Sequence, residues 1–354
     1  MTGASVILVT GAGGVGKTTI AAAAGVSAAR SGVRTLVMTV DPARRLADAL
    51  GVGRLGNRPT QVEDEEHLWA AMLDVAASWE AIVARHADPV VGDRLLVNPF
   101  FRAIADRFPA AQAYAAGEQM AEFVESGAWD LVIVDTPPSV GGVDFLLAPA
   151  RMIDLVGGKL LRWLTGAQLP GRRALYRVTA RPVLRLADSV LGGPLLEEVA
   201  EFLLDLRTLY DGMSARAKSV ERHLRGARTV VVTNAAPTPM REARRFFEEL
   251  PGESIVPAAV VFNRDLPQEW EHLDEVADTN DDLDRETWTA LRDNLLRWAA
   301  EARRTADARA EFAARHGAEL ASVPWMPQPP TDTDSLARLV LESRGLQEAL
   351  LAAL

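Results

Sequence analysis

The chain has 354 residues, 48% of them hydrophobic, enough to bury one large α/β core or two domains. A formal net charge of −10 disfavours a basic nucleic-acid-binding surface, and the lack of any cysteine excludes disulfides, thiolate metal sites and a cysteine nucleophile. His67, His86, His223, His272 and His316 are scattered without zinc-ligand spacing, no apolar run approaches the roughly 18 residues of a membrane span, and no basic leader precedes the first strand; together these predict a soluble, cytoplasmic protein.

In chain order, Val6 to Val9 predicts a buried strand and Thr18 to Arg30 an alanine-rich helix. Between them lies Gly11-Ala12-Gly13-Gly14-Val15-Gly16-Lys17-Thr18-Thr19, which reads G-x-x-x-x-G-K-T. Glycines reach positive φ and carry no Cβ, so successive N–H groups can turn inward around a phosphate while the helix N-terminus faces the same anion. Gly11, Gly13, Gly14, Val15, Gly16, Lys17, Thr18 and Thr19 are therefore the candidate ATP-binding loop, Lys17 reaching the β/γ-phosphates and Thr18 placing its hydroxyl on Mg²⁺.

A second strand, Arg34 to Val40, ends at Asp41-Pro42-Ala43. A carboxylate at the C-terminal end of a parallel strand meets ligands in the crevice of an α/β sheet. Asp41 equally suits the N-cap of a helix beginning at Pro42, and both readings stand. A third strand is expected from His67 to Leu73, and then residues 75–128 carry helical patterns, with Phe100, Phe101, Phe108 and Tyr114 as their core. Leu131 to Val134 closed by Asp135 forms a Walker-B strand, whose carboxylate holds Mg²⁺ directly or through water.

A second helical block runs from about Phe145 to Arg225. Within it, Leu195, Val199, Phe202, Leu206, Leu209, Met213, Ala217, Val220 and Leu224 step by three and four, predicting one long helix that packs on the block or receives an apolar partner. Residues 159–185 carry Lys159, Arg162, Arg172, Arg173, Arg177, Arg181 and Arg185 with no acid, a solvated face or a surface for an anionic membrane or partner. Strands follow at Thr229 to Val232 and Ala258 to Phe262, with a helix from about Met240 to Leu250 between them. An acidic segment, 265–286, reads as a solvated loop or short exposed helix. A long helix, 284–316, a stiff loop from Pro324 to Pro330 and a closing helix, 333–350, complete the chain. The expected fold is α/β, a mostly parallel P-loop NTPase sheet flanked by helices with an inserted α-helical subdomain. Its segments are 1-74 (nucleotide-binding core), 75-128 (helical insertion), 129-145 (core), 146-225 (helical subdomain) and 226-354 (core).

Five stretches together resemble the ArsA-like family of P-loop ATPases, which includes arsenite-pump ATPases and ATPases that target tail-anchored membrane proteins. They are Gly11 to Thr19, Asp41-Pro42-Ala43 with Leu46 and Asp48, Asp135-Thr136-Pro137-Pro138, Phe262-Asn263-Arg264, and Val323-Pro324. The region from Asn98-Pro99-Phe100 through Tyr114 and Glu118 is also similar to the helices of bacterial members. The resemblance implies ATP and Mg²⁺ at a dimer interface, Asp41 orienting the attacking water, Asp135 near the metal, Asn263 reading adenine and the Pro324 loop lining the base pocket. The helical blocks would bind a partner or client.

Two departures qualify it. Family members usually carry a second lysine at the position of Ala12, which reaches across the dimer to the other subunit's phosphates. Its absence predicts either slow hydrolysis as a homodimer or pairing with a paralogue that supplies the cation. Without cysteine, thiolate-bound arsenite or zinc is also excluded. The leading expectation is an Mg²⁺-dependent ATP hydrolase; the alternative is a weakly hydrolysing ATP-binding partner of a paralogous ATPase. A GTPase of the related signal-recognition class lacks its guanine-reading motif here.

Overall fold

Each apolar run that ends at a loop residue becomes a strand of one sheet. The computed structural model describes residues 3–41, 43–137, 142–157, 195–250, 255–275 and 284–351. Among them the strands are β1 (Ser5–Gly11), β2 (Thr35–Thr39), β3 (Thr60–Gln61), β4 (Leu68–Met72), β5 (Leu131–Asp135), β6 (Arg228–Thr233), β7 (Ala259–Asp265) and β8 (Glu319–Pro324). They lie side by side in the order β3-β4-β2-β5-β1-β6-β7-β8. Every pairing is parallel except that of β3 with β4. Continuous valine, isoleucine and leucine runs suit a parallel sheet covered on both faces, and β2 and β5 are buried along their whole length.

The register decides what the sheet can present. Val9 of β1 and Thr39 of β2 both stand opposite Asp135 of β5, and Gly11 stands opposite Val232 of β6. The chain therefore leaves β1, β2 and β5 at one edge, with the glycine loop, Asp41 and Asp135 as neighbours. Helix α1 (Lys17–Arg30) starts directly after the loop, and ten of its fourteen residues are buried. Its alanines keep the helix axis close to the strands, which holds its first turn tightly in place.

Packing divides the chain into a sheet unit, Met1–Met72, Val124–Val143 and Ala227–Leu354, and a helical unit, Leu73–Phe123 and Asp144–Gly226. In the helical region, α3 (Val75–His86) is capped by the Asp74 side chain. Helices α4 (Pro89–Val97) and α5 (Pro99–Arg107) each open with a capping residue followed by proline, Asp88-Pro89 and Asn98-Pro99, and α6 (Pro109–Glu125) opens on Pro109. Proline at the first position of a helix costs no hydrogen bond, and the residue before it leaves the helical region, so these junctions punctuate the segment. Phe101 and Tyr114 are buried as expected, and Trp79 is buried with them; Phe100 is half-buried, and Phe108 is 44% exposed, outside the core assigned to it from sequence.

Three sequence expectations are corrected. The stripe from Leu195 to Leu224 belongs to two helices, Leu195–Thr208 and Tyr210–Gly226. At the break, Leu209 N donates to Leu206 O rather than one residue further back, and the Thr208 hydroxyl takes Asp205 O at 2.7 Å. Phe202, Leu206, Leu209, Met213 and Ala217 are consumed by the core of the helical unit, so this part of the stripe is no exposed docking face. The closing helix is also interrupted, into Thr333–Glu342 and Leu346–Leu351. Arg344 forms an antiparallel bridge with Ser322 of β8, and Gly345 at φ +67° turns the chain back. Finally, the short helix after Asp41 is α2 (Arg45–Ala49), which begins too late for Asp41 to cap it.

The acidic segment is partly described: a 3₁₀ turn, Gln268–His272, precedes Asp274, whose carboxylate takes both terminal nitrogens of Arg303. Leu291 and Trp298, on the long helix Arg285–His316, are 42% and 46% exposed. The basic stretch 159–185 lies outside the described residues. Among the described residues, no helix is long and apolar enough to cross a membrane.

Candidate functional site

The glycine loop is held by close backbone approach. Gly11 has φ +143°, and a Cβ there would stand 2.0 Å from Val232 O on the neighbouring strand. Gly16 has φ +97°, and a Cβ there would meet Asn263 Nδ2 at 2.2 Å. Only glycine fits either place. Asn263 Nδ2 donates to Val15 O at 2.7 Å, and Asn263 Oδ1 accepts from Arg264 N at 2.9 Å. The end of β7 thus braces the loop from beneath.

Lys17 is folded over its own loop, its Nζ donating to Gly11 O at 3.0 Å and Ala12 O at 2.9 Å. Burial lowers its pKa from the ordinary lysine value, against the pull of Asp135, Glu242 and Asp41. Beside it a short hydrogen-bond chain ties the first turn of α1 to the ends of β2 and β5. Thr18 Oγ1 donates to Asp135 Oδ2 at 2.7 Å, and Thr39 Oγ1 donates to the same oxygen at 2.9 Å. Thr39 Oγ1 in turn accepts from Asp41 N at 3.2 Å.

Asp135 is 1% exposed, and its Oδ1 has no hydrogen-bond partner among the described residues. Burial pushes its carboxyl up to about 6, opposed by the hydroxyls of Thr18 and Thr39 and by Lys17. A buried acceptor left open in this way is costly, and a hard cation that prefers oxygen ligands relieves it. The adjacent Thr18 hydroxyl is a second oxygen of the right kind, so this pair would suit a hard cation such as Mg²⁺. Asp41 is held by two contacts, its Oδ1 accepting from Ala43 N at 3.0 Å and its Oδ2 from Arg45 Nη1 at 3.2 Å.

A cavity of about 440 Å³ opens onto these groups, lined by Gly14, Gly16, Lys17, Thr18, Thr19 and Asp41 together with Arg45, Thr136, Arg264 and Pro330. The loop and Asp41 line this cavity, and Asp135 joins them through its hydrogen bonds with Thr18 and Thr39. Asn263 contacts the underside of the loop, while Pro324, at the end of β8, lines a separate cavity of about 280 Å³ with Asp265 and Arg309. Thr39, Arg45 and Arg264 were not singled out as site residues from sequence. Thr39 and Arg45 flank Asp41 closely in the chain, but only strand register and helix placement show that they reach the site.

A family model for the anion-transporting ATPases, of ArsA type, matches residues 4–294. The chain belongs to the anion-transporting ATPase family. A Streptomyces coelicolor protein, itself uncharacterised, is 34% identical over 247 residues, 66% of this chain and 55% of its own length. The Aspergillus terreus ATPase get3 is 26% identical over 262 residues, 73% of this chain and 72% of its own. A relative from Prosthecochloris vibrioformis, bearing the name of an arsenical pump-driving ATPase, is 22% identical over 254 residues, 68% of this chain and 56% of its own. The match thus spans little more than half the length of two of these relatives. In this anion-transporting ATPase family member the loop residue Ala12 offers a methyl group at 5% exposure and a carbonyl already taken by Lys17.

Proposed function

We propose that the chain is an Mg²⁺-dependent ATPase that hydrolyses ATP at a dimer interface and couples the cycle to a helical partner- or client-binding region. Residues 1-74, 129-145 and 226-354 form the nucleotide core in this reading, and 75-128 and 146-225 the helices that respond. The observation that carries it is the Thr18–Asp135 pair, with an unpaired buried carboxylate oxygen beside a glycine loop. Membership of the family supports the same chemistry.

Lys17 exchanges the two loop carbonyls for β- and γ-phosphate oxygens, and the loop amides with the first turn of α1 hold the rest of the triphosphate. Asp41 orients a water for in-line attack on the γ-phosphorus, so that the new P–O bond forms as the bond to the β-phosphate oxygen breaks and ADP leaves. Thr18 and Asp135, directly or through water, would hold Mg²⁺, which would supply charge neutralisation on the phosphate oxygens. Asn263, bonded to Val15 O, and Pro324, which lines the separate cavity, are given no base contact in this reading.

Calorimetry with Mg-ATP and steady-state phosphate release test this reading. Saturable binding and turnover, both lost in Lys17→Ala, are expected. A flat titration on folded protein, in the presence of any sister subunit, refutes it.

Ala12 favours a second reading, a weakly hydrolysing ATP-binding partner of a paralogous ATPase, because the usual cross-subunit lysine is replaced by a methyl group. Single-turnover phosphate release separates the two: binding without release on the minute scale selects the partner role.

A further inference from the structure

Arg45 is the first residue of α2, four positions after Asp41, and its guanidinium is 62% exposed while the Asp41 side chain is 12% exposed. An ion pair with so exposed a member is weakly held, so it exchanges readily for a better anion. With Ala43 N on one oxygen and Arg45 on the other, both oxygens of the Asp41 carboxylate are engaged. Each oxygen keeps a further lone pair, but the Arg45 charge on Oδ2 weakens the carboxylate's pull on a water proton. Arg45 also lines the cavity that holds Gly14, Lys17 and Thr18, and its charge acts on Lys17 through space.

A bound triphosphate brings several negative charges into this cavity. Lys17 answers part of that charge, and position 12 answers none of it. A guanidinium binds phosphate oxygens with two parallel N–H donors and without any change of protonation, which suits it to the charge that spreads over the γ-phosphoryl oxygens during transfer.

We propose that Arg45 is a catalytic residue supplied in cis, which leaves Asp41 for the γ-phosphate when a triphosphate fills the loop and so delivers the missing cation and frees Asp41 in one movement. This rests on the ATPase reading above. In the step itself, the water oxygen bonds to the γ-phosphorus, the bridging P–O bond breaks with its electron pair going to ADP, and one water proton passes to Asp41 and then to the released phosphate. Arg45 neither gains nor loses a proton. ADP has no γ-phosphate to draw the guanidinium away, so the Arg45–Asp41 pair persists with the diphosphate and the site distinguishes the two nucleotides.

The test uses the full chain as parent, Arg45→Ala, Arg45→Lys and Asp41→Asn. Single-turnover phosphate release is read with saturating Mg-ATP, and affinities for Mg-ATP and Mg-ADP are read by calorimetry. The expected result is a loss of about 100-fold or more in the release rate for Arg45→Ala, a smaller loss for Arg45→Lys, a weakened Mg-ATP affinity and an unchanged Mg-ADP affinity. An equimolar mixture of Arg45→Ala and Asp41→Asn, unfolded and refolded together to exchange subunits, is expected to stay as slow as either alone. Recovery in the mixture overturns the proposal, because it means that the arginine acts on a neighbouring subunit's site. A release rate within threefold of the parent in Arg45→Ala, or equal weakening of both nucleotides, also overturns it while leaving the ATPase reading intact. A parent that binds Mg-ATP but releases no phosphate removes the proposal in favour of the partner role, and a parent that binds no Mg-ATP removes both.

Discussion

Two buried carboxylates, one in each unit, are treated in opposite ways. Glu118 on α6 is 2% exposed and fully answered: its Oε1 accepts from the Tyr114 hydroxyl at 2.7 Å, and its Oε2 accepts from Arg216 Nε at 2.8 Å and Arg85 Nη1 at 3.3 Å. Burial and the nearby carboxylate hold the Tyr114 phenol far above its ordinary range, so its proton stays in the bond. Asp135 is equally buried, yet among the described residues it has two hydroxyls on one oxygen, no partner on the other and no cationic side chain bonded to it. Burial is common to both, so burial alone does not mark a working site. What separates them is completeness: a structural carboxylate is compensated by its own chain, and a site carboxylate is left to be compensated by something that arrives.

The comparison can be broken most decisively at the loop and its acid. Lys17→Ala and Asp135→Asn are each expected to cut ATP turnover by about 10³-fold or more, roughly 4 kcal/mol of transition-state stabilisation, in a phosphate-release assay on folded protein. An Asp135→Asn protein that keeps the parental rate would mean that the open oxygen serves no cation. The opposite test is Glu118→Ala, which leaves Arg85, Arg216 and Tyr114 without their common acceptor. It is expected to cost about 3 to 5 kcal/mol in urea denaturation and to leave Mg-ATP binding in place.

Asp135→Asn also sharpens the contrast when stability is the readout. With EDTA present, the folded parent keeps a proton on Asp135 that the unfolded chain has already released between pH 3.8 and about 6. The folded state binds more protons in that window, so the parent loses stability as pH rises through it, by up to about 3 kcal/mol. The asparagine variant should lack this slope and melt higher than the parent at pH 7. The smallest effect is Tyr114→Phe, which removes one of three donors to Glu118 and is expected to cost about 1 to 2 kcal/mol by thermal denaturation.

Much of the core could be read from residues because its signals are local. The run Val6 to Val9, the glycines after it and the alanines of α1 form a strand, a turn and a helix for reasons contained in that stretch. Leu131 to Asp135 likewise declares a buried strand with an acid at its end. What could not be read depends on long-range register or on weak local competition. The strand β3 is two residues long, too short for any period to appear. The interruption at Leu209 preserves the apolar spacing, so the stripe looked continuous. The break at Arg344 exists because β8 is there to pair with it. At the site, the partnership of Thr39 with Asp135 follows from which strands lie adjacent, and that of Asn263 with Val15 from a sequence separation of 248 residues. Neither carries a mark in the linear chain.

The bracing of Val15 by Asn263 bears on how an inactive control should be made. Replacing a loop glycine is a common way to silence a nucleotide site, but an alanine at Gly16 would drive its methyl group into the Asn263 amide and evict it from the Val15 carbonyl. Such a protein would carry two lesions, a distorted turn and a detached strand end, and any defect measured in it would have two possible sources. Trimming Lys17, whose ammonium touches only carbonyl oxygens of its own loop among the hydrogen bonds described, silences the chemistry while sparing that scaffold.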